Sequence, residues 1–187
     1  MKNIIYTLLL LLSLSTVNGQ DKEVSGVKFP GHIMAEKDAL FLNGAGIREK
    51  YFMDMYVIGL YLKNRSTDQN TIMNADEKMS LRLQIVSSMV SNSVMQKAVR
   101  EGFEKSTNNN TAPIKNEIEA FISAFSDPIT KGDNFELNYY PGVGCVVFKN
   151  GVKKTQIAGL AFKKALFGIW LGSNPAHEEL RNDLLGK

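Results

Sequence analysis

The sequence predicts an α+β fold, a mainly antiparallel sheet with helices packed on one face, from three observations. Some stretches alternate apolar and polar residues with period two, others repeat apolar residues at helical spacing, and the chain order runs strands, helices, strands, helices. That order lacks the regular strand-helix alternation that builds a parallel sheet.

The first element is not part of the fold. Met1-Lys2-Asn3 is a short basic start, Ile4 to Leu14 is apolar, and Val17-Asn18-Gly19 places small residues where a signal peptidase would cut. Residues 1–19 are therefore expected to be a signal peptide. The mature domain, 20–187, is expected to be soluble and periplasmic or extracellular after cleavage near Gly19. No later window approaches the roughly 20 apolar residues of a membrane span, and no cysteine stands at the cut to carry a lipid, so no stable membrane anchor is expected.

Val24 to Ala35 is rich in β-formers, Glu36-Lys37-Asp38 reads as a turn, and Ala39 to Ile47 and Tyr51 to Leu62 read as two further strands. Met79, Leu81, Leu83 and Ile85 alternate with Ser80, Arg82 and Gln84, so one face of that strand meets the core. Phe135, Leu137 and Tyr139 repeat the alternation. Asn150-Gly151 tolerates the positive φ angles of a type I′ turn and joins Val143–Lys149 to Val152–Ile157 as a hairpin.

Helical spacing begins after Asn92 with Val94, Met95, Ala98, Val99 and Phe103, and again after Pro113 with Ile114, Ile118, Phe121, Ile122 and Phe125. Ala161, Phe162, Ala165, Leu166, Ile169 and Trp170 form a wide apolar stripe ending at Gly172, and Trp170 reads as packing within it. Asn174-Pro175 restarts a helix with Glu178 and Glu179 in its first turn, where they complement the helix dipole.

Composition narrows the chemistry. Of 187 residues 44% are hydrophobic and 22% charged, which excludes a disordered chain. Lysine and arginine total 22 against 19 acidic residues, and the net +3 is interspersed, so nucleic-acid binding is not expected. One cysteine, Cys145, and two histidines, His32 and His177, assemble neither a disulfide nor a zinc set, and no cofactor is expected. Cys145 lies in an apolar strand and reads as buried filler. Gly44-Ala45-Gly46 lacks the third glycine of a dinucleotide fingerprint.

One segment is left over. Gly44, Gly46 and Gly59 lie inside strands, which implies close approach of another backbone, a bulge or a bound ligand. Arg48 stands next to the first two in an otherwise apolar stretch, either as a solvated hairpin charge or as an anion anchor.

Gly44-Ala45-Gly46-Ile47-Arg48 together with Tyr56-Val57-Ile58-Gly59-Leu60-Tyr61-Leu62 resembles the signature of the chalcone isomerase superfamily. Phe162 to Leu185 looks like the C-terminal helical pair of its bacterial chalcone isomerase-like members. The resemblance implies a curved antiparallel sheet with a helical layer, an open-faced β-sandwich, and a ligand cleft between the two. It also implies departures. True chalcone isomerases use the arginine with a threonine, a tyrosine and a late hydroxyl residue. Here the threonine position holds Tyr56, no tyrosine occurs in Ser87 to Val94, and the late position falls near Gly168.

A fatty-acid-binding branch of the superfamily instead holds a carboxylate with an arginine and a tyrosine at the threonine position, which Arg48 and Tyr56 match. The expected function is thus an exported, non-catalytic binder of a small apolar carboxylate such as a fatty acid. A tail of about a dozen carbons would set its affinity. An isomerase or intramolecular lyase acting on an unknown substrate is the alternative. A structural or partner-binding module, its cleft shut by Met53, Met55 and phenylalanines, is the second alternative.

Arg48 and Tyr56 are eight residues apart, about 27 Å along a straight strand, so a turn must bring them together. A turn at Glu49-Lys50 is the better residue signal and pairs Arg48 with Tyr51. A turn near Phe52 pairs it with Tyr56 through poor turn residues. Tyr51 and Tyr61 therefore stay open as partners, and the oligomeric state is open as well.

Overall fold

Seven strands form an antiparallel meander in which each strand pairs with the next in sequence. They are β3 (His32–Ala35), β4 (Asp38–Lys50), β5 (Met53–Leu62), β6 (Met79–Ile85), β7 (Asn134–Tyr140), β8 (Gly144–Lys149) and β9 (Val152–Ile157). A separate hairpin, β1 (Lys22–Val24) and β2 (Val27–Phe29), precedes them. The computed structural model describes residues 20–187; the expected signal peptide lies outside the described residues.

Helices are inserted at three places. α1 (Gln69–Asn74) joins β5 to β6, α2 (Asn92–Ser106) and α3 (Lys115–Ser123) join β6 to β7, and α4 (Leu160–Leu171) and α5 (Glu178–Leu184) follow β9. The α2 start follows from Ser91, whose side chain accepts from the Val94 amide. α1 is the one helix that periodicity does not disclose. Its six residues bury only Ile72, and its signal is the Asp68 cap that accepts from the Asn70 amide.

The β8–β9 turn is as the residues require, with Asn150 at φ 50° and Gly151 at φ 77°. The β4–β5 turn has the same backbone form on different residues. Tyr51 and Phe52 take φ 52° and 63°, in place of the Glu49-Lys50 turn that residue preferences favour. The reason is register. A turn at Glu49-Lys50, two residues earlier, would slide β5 along β4 and undo pairs such as Gly46 with Ile58 and Ala45 with Gly59, which fix what each strand face meets.

Those faces build two cores. Ile58, Leu60 and Leu62 of β5 point toward the helices and pack with Phe103, Phe121 and Phe162. Val57 and Tyr61 point the other way, into a smaller core with Phe29, Ile33, Leu40 and Leu42. The expectation of cover on one face is thus incomplete, because β3 and the β1–β2 hairpin bring a second layer over one end of the sheet. Burial on both sides explains why β4 and β5 read as apolar runs instead of alternating. Gly59 serves this outer core, since a Cβ there would stand 2.6 Å from the Phe29 ring.

Lys163 fastens α4 to α1. It is 0% exposed, and its Nζ donates to the carbonyls of Ile72, Met73 and Ala75 at 2.8, 3.0 and 2.9 Å. The ammonium thus caps the last turn of α1, where unpaired carbonyls and the helix dipole favour a cation. Burial pulls its pKa down to about 8, below the 10.5 of a free lysine. Between those values the unfolded chain binds more protons than the native one, so this group's contribution to stability rises with pH across that window. Urea titrations at pH 7 and pH 10 should accordingly show the gap between wild type and Lys163→Met widening at the higher pH. Burial also pushes the neighbouring Cys145 thiol up to about 12, which leaves it un-ionised at neutral pH.

Candidate functional site

The glycine-rich strand is shaped for a helix. Gly44 and Gly46 lie on the helical face of β4, opposite Leu60 and Ile58. A Cβ on Gly44 would stand 2.0 Å from the Asp183 carbonyl oxygen, and one on Gly46 would stand 2.4 Å from the Asp183 carboxylate. Of the three explanations open for these glycines, close approach of another backbone, that of α5, accounts for Gly44, while Gly46 leaves room for the Asp183 side chain of the same helix. Asn43, the extra residue of a bulge between Leu42 and Gly44, donates to the Leu184 carbonyl at 2.7 Å and holds the same helix end.

Two residues beyond Gly46 on the same face stands Arg48, directly opposite Tyr56 in the β4–β5 register. A second irregularity lies between Arg48 and Glu49, which makes Met55 the extra residue on β5. The two other candidate tyrosines are elsewhere. Tyr51 is at the exposed hairpin tip, and Tyr61 is on the opposite sheet face beneath the Arg82 guanidinium, 5.9 Å from its ring centroid.

A pocket of about 100 Å³ opens at the Arg48–Tyr56 end of the sheet, between the strands and helices α2 and α4. Met55, Leu83, Val94, Met95, Ile169 and Trp170 give it an apolar wall, and Arg48, Lys50 and Lys105 outnumber Glu101 among its charged residues. Arg48 is half-buried and turns one guanidinium nitrogen onto the carbonyl of Glu49.

Tyr56 is oriented by a residue that the sequence places only as packing. The Trp170 indole N–H donates to the Tyr56 hydroxyl at 3.0 Å, so Trp170 both packs in α4 and lines the pocket. With a lone pair so engaged, the phenolic O–H is free to donate, and it has no acceptor among the described residues. Burial raises the phenol's pKa, and the Trp170 N–H and the Arg48 charge offset that only in part. The hydroxyl is therefore protonated at neutral pH.

Such an arrangement offers an anion a guanidinium and a phenol on one side of an apolar hollow. Its size departs from expectation. An apolar cavity of about 150 Å³ admits benzene, so 100 Å³ does not receive a dozen-carbon tail without movement of the wall. The second half of α2 is pinned, because a Cβ on Gly102 would stand 2.8 Å from Ile169. The first half bears Val94 and the flexible Met95 and follows the Ser87–Ser91 connection.

Three comparisons bear on this geometry. A family model described as chalcone isomerase-like matches residues 21–186. Among curated proteins no match is found. The crystal structure of a fatty-acid binding protein from Arabidopsis thaliana superposes with a TM-score of 0.69, covering 86% of this chain and 92% of that one at 21% identity. The likeness is one of fold, a curled antiparallel half-barrel sheet with helices.

Proposed function

The chain belongs to the chalcone isomerase-like family, and from that premise we propose that it binds a small apolar carboxylate, a fatty acid or a close relative, without turning it over. The observation that carries the proposal is the Arg48–Tyr56 pair set in register at the edge of an apolar pocket, with Trp170 turning the phenol into a donor. The fatty-acid binding of the similarly folded Arabidopsis protein supports the same ligand class. Arg48 takes the carboxylate through two parallel N–H groups, Tyr56 adds a third donor, and the α2 and α4 side chains receive the tail.

Tyr56 is the only hydroxyl-bearing residue of the described lining, so ring closure would have to run on Arg48 and one phenol. Turnover of a chalcone panel that disappears in Arg48→Ala would instead establish the isomerase reading.

Native mass spectrometry of protein purified from lipid-rich extract tests the proposal. Bound acids are expected on the wild type and should be depleted in Arg48→Ala; acids absent from both would overturn it. Tyr56→Phe keeps the ring against Trp170 and removes one donor. It should weaken binding about 5- to 10-fold, from the roughly 1 kcal/mol of one hydrogen bond, as titration of a fluorescent fatty acid would read. Wall movement makes a further expectation. Hydrogen exchange in residues 91–98 should change with decanoate and much less with butyrate, if a long tail enters by displacing the first half of α2.

We also propose that residues 1–19 are removed on export. Amino-terminal sequencing of protein from the periplasm or medium should then begin near Gln20.

A further inference from the structure

The β4–β5 turn is built from residues that its geometry disfavours. Both central positions of a type I′ turn need φ > 0, which asparagine and glycine supply at little cost and aromatic residues do not. Tyr51 and Phe52 nevertheless occupy them at φ 52° and 63°, in a chain that uses Asn150-Gly151 for the same turn elsewhere. Neither ring is used for packing. Tyr51 is 79% exposed and Phe52 fully so, and neither lines the pocket. Backbone strain and two exposed rings both oppose stability, so the tip is retained for a contact outside the chain.

The surroundings indicate what it contacts. The tip is the end of the hairpin that carries Arg48 and Lys50, and the Lys50 ammonium lies 5.5 Å over the Tyr51 ring. Met89, 56% exposed, precedes Val90 of the pocket wall, and Val94 is exposed on the first turn of α2. Exposed apolar groups thus flank the pocket on two sides with cations among them, which is the composition of groups that settle at a membrane-water interface. Two aromatic rings supply about 300–500 Å², short of the ~800 Å² per partner of a stable protein interface. Insertion of a projecting tip into a lipid headgroup layer needs no matching surface. Among the described residues no helix is long and apolar enough to cross a bilayer.

We infer that the Tyr51-Phe52 tip docks the protein reversibly on a lipid bilayer, with the Arg48 pocket opening beside the contact, so that the apolar acid passes between bilayer and pocket. The inference rests on the proposed function for its cargo. The docking itself is tested separately. Flotation with phosphatidylcholine vesicles, with and without phosphatidylglycerol, should carry the wild-type chain and leave the double variant Tyr51→Asn, Phe52→Gly behind, with at least a ten-fold fall in partitioning.

The same variant should melt a few degrees higher, because the turn is relieved of strain. It should also bind soluble decanoate unchanged, since neither residue lines the pocket. Phe52→Trp should retain docking, and Val152→Ser, on another exposed hairpin, should not affect it. Wild type that ignores both vesicle types, or a variant that partitions equally, overturns the inference. So does a wild-type dimer that the variant dissolves while vesicles are ignored. Docking that persists in a protein binding no acid would sink the pocket reading and leave the tip as a membrane contact.

Discussion

Lys163→Met should lower the melting temperature by about 10 °C. The substitution keeps most of the buried stem and removes only the ammonium, so the change reads the cap of α1 and not a cavity. Three carbonyls, of Ile72, Met73 and Ala75, lose a shared donor, the first of them fully buried and the other two partly so. Stranding buried acceptors costs about 1–3 kcal/mol for each group fully deprived. Partial relief by the end of α1 loosening brings the sum to about 3–5 kcal/mol. At about 2–4 °C per kcal/mol for a chain of this size, the shift is of that order. Loss should be local at first, with amide exchange accelerating in residues 69–75 before the sheet responds. An unchanged melting temperature would mean that the ammonium's desolvation cancels its three hydrogen bonds.

Gly44→Val is the second large effect. The neighbour that a side chain would meet is backbone, the carbonyl oxygens of Asp183 and Leu184 at 2.0 and 2.8 Å from a Cβ, so no rotamer change makes room. α5 must lift from β4. Overpacking commonly costs 1–3 kcal/mol and more where backbone has to move, and lifting α5 also exposes Leu180, Leu184 and Leu185, all buried. About 3–5 kcal/mol is expected, visible as a lower urea midpoint. Binding should suffer too. Ala176, in the link from α4 to α5, lines the pocket and donates its amide to the Ile169 carbonyl at 2.8 Å. Gly44 is not among the glycines with positive φ, so the expected loss is one of packing alone.

How far the residues alone disclose this molecule differs from element to element. Strands β6 and β7 announce themselves because apolar side chains on one face alternate with polar ones on the other, and Asn150-Gly151 marks its hairpin since few other pairs fit the turn. α2 and α3 follow from a one-sided apolar stripe. The β4–β5 turn is illegible for a physical reason, since Tyr51 and Phe52 are held in it by register against their own preferences. With the turn goes the pairing of Arg48 with Tyr56, for which two tyrosines elsewhere compete.

The glycines of β4 show that another part of the chain comes close without saying which, because the approaching Asp183 is about 140 residues away in the chain. Lys163 sits in a helix whose stripe is otherwise apolar, and a cation there gives no hint of three carbonyls arriving from α1. Trp170 is visible as a core residue. Its indole N–H, which makes it part of the site, finds Tyr56 only once α4 is laid across the sheet.

The central claim is that Arg48 grips the charged end of an apolar guest. Its most direct test is calorimetric titration of decanoate and decanol into wild type and Arg48→Ala at neutral pH. The account predicts that decanoate binds wild type at least ten-fold more tightly than the variant, about 1.4 kcal/mol or more, while decanol binds the two alike. Equal affinity of decanoate for both proteins, or no binding of decanoate to the wild type, would contradict it.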